Sequence, residues 1–328
     1  MKIIGIGNAL SDVLLRLESD DTLVKTGMKK GAMDLIGEEQ MRAIHQAQHG
    51  LKRDEAPGGS VCNTMRALAR LGAEVGYIGK IGSDETGTGY EQAVRKAGVT
   101  PYFVRRKGIS GCSTVLISPD GERTMATFLG PAATLSATEI ADETLRAYDC
   151  VYIEGYLISN EALFLPILQR IDRLGLNVAL DLSNFNIVNG FKDVLQEVIP
   201  RYVRILFSNE SEAEAYTGLP AGEAVQKISE QVDISVVTIG SKGALVGSSE
   251  GVIAVPASGG NPVDTTGAGD NFAAGFLYGL SVNASLEQSA QVGALLAGHV
   301  IETIGPQIPD DRWEQIKLKI EAGIIQSP

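Results

Sequence analysis

Short apolar runs alternate with longer stretches of helical spacing along most of this chain. Ile3–Gly7, Val75–Ile78, Val151–Ile153, Val178–Leu182, Ile205–Phe207 and Val236–Ile239 are apolar on both faces, which predicts strands covered on both sides. Between them, Val61–Leu71, a stretch from about Asp84 to Ala97, Glu161–Leu174, Val188–Val198 and Gly222–Val232 carry helical periodicity. Asn271–Leu280 and Leu286–Ile301, rich in Ala, Gly and Leu, predict buried helices. The alternation predicts an α/β fold in three layers, a mostly parallel sheet between two layers of helices.

Two regions break this rhythm. Residues 13–55 read as a short strand (Val13–Leu17), an acidic turn at Asp20-Asp21, a Gly/Lys turn (Gly27–Gly31) and an exposed helix (Glu38–Gln48). Residues 102–130 hold alternating strands at Val104-Arg105, Thr114–Ile117 and Thr124–Phe128, around the turn Pro119-Asp120-Gly121. Together they predict a small β-sheet lid on a single domain that spans residues 1–328.

The bulk numbers narrow the class. With 328 residues, 44% of them hydrophobic and 21% charged, the chain can bury a sizeable core without disulfides or a structural metal. Cys62, Cys112 and Cys150 are far apart with no CxxC pair, which argues for a reducing compartment and against a zinc site. A net charge of −12 disfavours nucleic acid and anionic membranes as partners, so any phosphate site must be built locally. Asn8 and Asp12 interrupt the first apolar run, which reads as a core strand and not as a signal peptide. No apolar stretch reaches about 18 residues, so no membrane helix is expected. A cytoplasmic protein is the expectation.

The chemistry concentrates after Val263. An extended segment runs into Gly267-Ala268-Gly269, and a helix begins near Asp270. Such a turn brings backbone N–H groups together at the positive end of a helix, where an anion is stabilised. Asp270 would stand beside that anion, suited to accept a proton from an attacking hydroxyl. For a bare GxGD, a glycine turn with Asp as a helix-start residue is the simpler explanation. Dinucleotide fingerprints fail, because Phe272 and Leu10 stand where the last glycine is required, and no GxxxxGK[ST] occurs.

The full string Asp264-Thr265-Thr266-Gly267-Ala268-Gly269-Asp270 is far more specific. With Gly58-Gly59-Ser60-Val61-Cys62-Asn63, Arg70-Leu71-Gly72-Ala73 and Gly79-Lys80-Ile81-Gly82 ahead of it, the chain resembles the ribokinase-like (PfkB) carbohydrate and nucleoside kinases along nearly its whole length. The resemblance implies an ATP-dependent phosphotransferase. Asp270 matches the family's catalytic base, and Gly267, Ala268 and Gly269 its anion hole. Asn8, Asp12, Gly58, Gly59 and Asn63 match positions around the acceptor's hydroxyls. Asn209 and Glu212 match the NxxE that orders Mg²⁺ through water, although the same spacing makes a capping box. Thr238, Gly240 and Gly243 match the ATP loop. Arg123 would reach phosphate from the lid or simply occupy a surface turn. Asp264 and Thr266 match residues near a monovalent-cation site, K⁺ in some members.

Within the family, the long insertion at residues 13–55, with Asp21-Thr22-Leu23 and Leu51, is similar to the adenosine kinase branch. So are Val151–Leu157, Asn209–Ala213 and Gly121–Gly130. The resemblance points to a nucleoside, with a sugar such as ribose or fructose as the alternative, in a monomer or homodimer. A catalytically silent nucleoside-binding protein is the reading from another class. Phe128, Tyr156 and Leu157 are candidate base contacts. His45 and His49, four apart, fit an exposed helix face better than a zinc pair.

Overall fold

The computed structural model describes residues 1–47, 53–120 and 122–324. Fourteen strands are present among them. The first eight are β1 (Ile3–Ile6), β2 (Leu10–Arg16), β3 (Met33–Leu35), β4 (Arg53–Gly58), β5 (Val75–Gly82), β6 (Thr100–Arg106), β7 (Gly111–Ile117) and β8 (Arg123–Phe128). The rest are β9 (Cys150–Glu154), β10 (Asn177–Asp181), β11 (Ile205–Asn209), β12 (Ile234–Thr238), β13 (Ala244–Ser248) and β14 (Gly251–Val255).

Nine of these form the main sheet, in the order β14-β13-β12-β11-β10-β9-β1-β5-β6. Pairing is parallel from β6 to β12 and antiparallel only at the β12–β13–β14 end. The central strands carry Ile, Val and Leu on both faces because helices cover both. One core packs the helices Ser60–Leu71, Ala268–Ser281 and Leu286–Val300 against Tyr77, Tyr152 and Phe207. The opposite core packs Phe164–Arg173 and Lys192–Tyr202 against Ile4, Val151 and Leu180.

Five strands form a second, smaller sheet in the order β3-β8-β7-β2-β4. Its outer face is closed by the helices Asp21–Thr26 and Glu38–Ala47 through Leu23, Met41 and Ile44, packed on Val13, Leu15 and Leu116. The two sheets meet at the end of β1, where the chain leaves the main sheet at Ile6 and enters the small one at Leu10.

Several elements differ from the periodicity reading. Val104 and Arg105, expected in the small sheet, lie on β6 at the edge of the main one, hydrogen-bonded to β5. An alternating edge strand looks the same whichever sheet it joins. Val188–Val198 is two helices, Phe185–Gly190 and Lys192–Tyr202, and Glu161–Leu174 begins helical geometry only at Phe164. The turn expected at Asp20-Asp21 opens a six-residue helix, ended by Gly27 in the left-handed conformation. The β13–β14 hairpin has no counterpart in the periodicity reading.

Candidate active site

Between the two sheets lies a cavity of about 700 Å³. It is lined from the ends of β1, β9, β10, β11 and β12, from the first turns of four helices, and from one face of the small sheet. The sequence folds this way because each segment changes geometry at the same level. Strand β1 ends at Ile6, β9 at Glu154 and β10 at Asp181, and helices begin at Ser60 and Ala268.

Gly59 starts the first of these helices with φ +90°, and a Cβ there would lie 2.4 Å from the backbone oxygen of Asn8. Only glycine fits both the backbone angle and the contact. Gly58, just before it, leaves space for the carboxylate of Asp12, which would stand 2.1 Å from any Cβ. Gly267 opens the second helix with φ +76°, pressed against Pro306. The N–H groups of Gly269 and Asp270 therefore fall in a first turn, which supplies them no internal partner.

Asp270 is held by two donors. Ser60 Oγ donates to its Oδ1 at 2.6 Å and Asn63 Nδ2 to its Oδ2 at 2.9 Å. Asn63 Oδ1 in turn accepts from Gln307 at 2.8 Å, so the amide is fixed at both ends. Burial pushes the Asp270 carboxyl above the usual carboxylate range, against the pull of Ser60 and Asn63. An acceptor with a raised pKa, fixed beside a helix N-terminus, suits proton abstraction next to a bound anion.

Further carboxylates face the same cavity. Glu154 is 1% exposed and accepts from the backbone and side-chain nitrogens of Asn8 at 2.8 and 2.7 Å. Asp181 accepts from Ser183 N–H at 2.7 Å and from Tyr152 Oη at 3.2 Å. Burial first, and the charges of Glu212 and Asp270 second, raise Asp181 well above its ordinary range. Glu212 is raised by burial too, against the N–H bonds of Asn209. Asn209 and Glu212 form the full reciprocal capping box at the start of the helix Glu210–Thr217, so the cap expected from the spacing is present.

The family model described as pfkB family carbohydrate kinase matches residues 21–313. The chain belongs to that family. A sugar kinase of Archaeoglobus fulgidus, described as uncharacterized, is 30% identical over 240 residues, or 73% of this chain and 95% of the relative. The crystal structure of a probable sugar kinase from Rhizobium etli superposes with TM-score 0.87 at 30% identity, covering 99% of each chain. That of an adenosine kinase from Sinorhizobium meliloti does so with TM-score 0.84 at 31% identity, covering 93% of this chain and 95% of the other. The fold is thus the ribokinase-like one, and the chain is a kinase of sugars or nucleosides that phosphorylates a hydroxyl.

Against that identity, the expected positions divide into groups. Asn8, Asp12, Gly59, Asn63, Asn209, Glu212, Thr238 and Gly267–Asp270 all line this kinase's cavity. Gly58, the last residue of β4, and Gly240 and Gly243, which turn the chain between β12 and β13, do not line it. Arg123 pairs with Asp264 Oδ1 at 2.8 Å and with Thr266 Oγ1 at 3.0 Å, bridging the small sheet to the loop ahead of the helix Ala268–Ser281. Burial draws Asp264 up, but bonds from Gly305, Thr266 and Arg123 outweigh it and hold its carboxyl below the usual range. Of the three base-contact candidates only Tyr156 lines the cavity. Leu157 is buried in the helix-covered core, and Phe128 packs with the apolar residues of the small sheet's outer side. His45 meets Thr114 Oγ1 at 3.0 Å, and His49 lies outside the described residues. Among the described residues no group of three His, Cys, Asp or Glu is arranged to hold a metal ion, and no helix is long and apolar enough to cross a membrane.

Glu154, Asp181 and Gln307 were not expected in the site. Glu154 was nevertheless signalled, as a charge ending the otherwise apolar strand Cys150–Ile153. Gln307 carried no local signal at all.

The acidic lining has a thermodynamic consequence. Asp12 is pushed up from 3.8 to about 7, by burial first and by the Asp270 charge second, with Arg66 opposing. A carboxyl whose folded pKa is raised costs stability progressively as pH climbs from its unfolded value to its folded one. Above about 7 the full cost persists. Asp12→Asn is therefore expected to melt above the wild type at pH 8, with the gap shrinking steadily between pH 7 and pH 5. Parallel melting curves at all pH values would mean that Asp12 is solvated as in the unfolded chain.

Proposed function

We propose that this kinase transfers the γ-phosphate of ATP to the primary hydroxyl of a nucleoside, with adenosine as the first candidate. The observation that carries the reading is the make-up of the one cavity around Asp270. On one side stand the polar groups of Asn8, Asp12 and Glu154, suited to sugar hydroxyls. The small sheet, which also carries Asp12, offers Leu10, Leu35 and Met125, with Leu129 just beyond β8, as apolar contacts for a flat base among the polar Asp34, Ser113 and Thr127. On the far side lie Asp181, Asn209, Glu212 and Thr238, where the nucleotide and its metal would belong.

In this reading Asp270 takes the proton of the attacking hydroxyl, and Ser60 and Asn63 orient it. The N–H groups left without a partner at the Gly267–Gly269 turn, Gly269 and the adjoining Asp270, hold the transferring phosphoryl group, while Ala268 N–H is bonded to Thr265. Mg²⁺ would neutralise charge on the triphosphate. The residues suit it, because the carboxylates of Asp181 and Glu212 line the same part of the cavity, where a hydrated cation would offset their repulsion. The small sheet acts as a lid whose position is tied to the anion loop through Arg123. That guanidinium also brings to Asp264 and Thr266 the positive charge that K⁺ would supply. Replacing K⁺ by tetramethylammonium is therefore expected to change the rate less than about twofold, a difference smaller than one hydrogen bond. A tenfold drop would mean that a cation site exists in addition.

A sugar acceptor is the second reading, favoured by the same polar wall, which would serve a free ribose or ketose without a base. The deciding experiment is an ADP-release assay over adenosine, other nucleosides and free sugars, with Asp270→Asn as control. Turnover of a hexose with none of adenosine sinks the nucleoside assignment and leaves the kinase intact. Adenosine binding without ADP release favours a silent binding protein.

A further inference from the structure

We propose that Glu154 fixes which way round the Asn8 amide faces the acceptor, so that this edge of the cavity selects a ligand group that donates a hydrogen bond. The inference rests on the reading that the acceptor lies against Asn8. Glu154 ends β9 beside the turn between β1 and β2, in a space kept open by Gly7, where a Cβ would stand 2.9 Å from its Oε2. Its Oε1 accepts from both nitrogens of Asn8, at 2.8 and 2.7 Å, and its Oε2 accepts from Val61 N–H at 3.3 Å. An ionised carboxylate can only accept. With the amide reversed, the oxygen of Asn8 would face Oε1, replacing a charge-assisted bond by a repulsion. The neighbouring carboxylate, not the ligand, therefore decides the orientation.

The consequence appears at the other end of the same amide. Asn8 Oδ1 accepts nothing from the described residues, and Asn8 lines the cavity. What remains for a ligand is an acceptor, flanked by Asp12, which when ionised also only accepts. A hydroxyl or N–H satisfies this edge. A bare ring nitrogen, an ether oxygen or a fluorine leaves it unpaired.

Burial pushes Glu154 up to about 7, so the ionised form is studied at pH 8.5. Binding of adenosine and of its 2′- and 3′-deoxyfluoro analogues is measured by calorimetry on the wild type, Asn8→Ala and Glu154→Leu. Fluorine is close to hydroxyl in size and cannot donate. At one of the two positions the wild type is expected to bind the fluoro analogue about tenfold or more weakly than adenosine, as for a buried polar group left without its partner. That discrimination should fall below about threefold in Asn8→Ala. It should fall likewise in Glu154→Leu, where no acceptor holds the Asn8 amide and it is free to turn. Glutamine would not serve, because its oxygen would stay between the two Asn8 nitrogens and hold the amide as before. Discrimination lost in Asn8→Ala but kept in Glu154→Leu overturns the inference. Discrimination kept in Asn8→Ala shows that Asn8 does not touch the acceptor, and then the reading of the site fails first. If Glu154→Leu does not fold, equal wild-type binding of hydroxyl and fluoro ligands at both positions overturns the inference by itself. If adenosine does not bind, the nucleoside assignment is what has failed. Ribose and its fluoro analogues then serve for the same comparison: weaker binding of a fluoro sugar supports the inference, and equal binding overturns it.

Discussion

Asp270→Asn is expected to reduce kcat by a factor on the order of 10³, within the range of general-base contributions. The KM values for ATP and acceptor should change little. Asparagine keeps the volume and can still accept from Ser60 or Asn63, which now bond the two carboxylate oxygens. It has no basic site for the hydroxyl proton. The effect belongs to kcat because the proton moves only as the phosphoryl group is attacked. Burial raises the Asp270 carboxyl, so its removal should also lift the melting temperature at neutral pH while activity falls. More stable and nearly inactive is the pair of results that distinguishes a lost base from a damaged fold. Residual kcat above a tenth of the wild type would mean that another group takes the proton.

Gly59→Ala should be the second most damaging change, and it acts through geometry. The backbone there has φ +90°, and a methyl group would lie 2.4 Å from the Asn8 carbonyl oxygen. Holding a non-glycine residue at such an angle costs about 1–3 kcal/mol, and the contact forces the β1–β2 turn away from the helix that starts at Ser60. That turn carries Asn8, and the helix carries Ser60 and Asn63, which hold Asp270. Relative movement of about 1 Å in such a constellation costs on the order of 10²-fold in rate. The acceptor kcat/KM should fall by about that factor, while the KM for ATP, which the proposed reading places against the other wall, stays within about twofold. Gly89→Ala is the control. It sits in the exposed face of the helix Glu85–Lys96 with nothing within 4 Å of its Cβ, so helix propensity alone should stabilise it slightly. Equal losses of ATP and acceptor affinity in Gly59→Ala would indicate general unfolding in place of a local shift.

The strands of the main sheet were legible because burial on both faces leaves a local mark, a run of Val, Ile and Leu. The Gly267–Asp270 turn was legible for a similar reason, since its backbone angle and helix start depend on residues next to one another in the chain. The small sheet was legible only in part. Its strands β7 and β8 were readable, but Val104 and Arg105 fell to the other sheet, and the choice of partner leaves no trace within one strand. The capping box at Asn209 and Glu212 was visible from spacing because it is closed within four residues.

By itself, then, the amino-acid sequence determined the α/β class, the glycine turn that opens a helix at Gly267 and the presence of a carboxylate beside it. All of these arise from contacts between near neighbours along the chain. Tertiary structure alone decided what surrounds that carboxylate. Ser60 and Asn63 reach Asp270 across 210 and 207 residues, Gln307 reaches Asn63 across 244, and Glu154 reaches Asn8 across 146. Each of these residues is an ordinary polar side chain where it stands in the sequence. Their chemistry comes from the low-dielectric space in which the fold brings them together, where an unpaired acceptor or a second charge is costly and orientation is therefore fixed. In the proposed reading, Asp264–Asp270 marks where phosphoryl transfer occurs, and the amide and carboxylate wall assembled around it sets which hydroxyl is presented there.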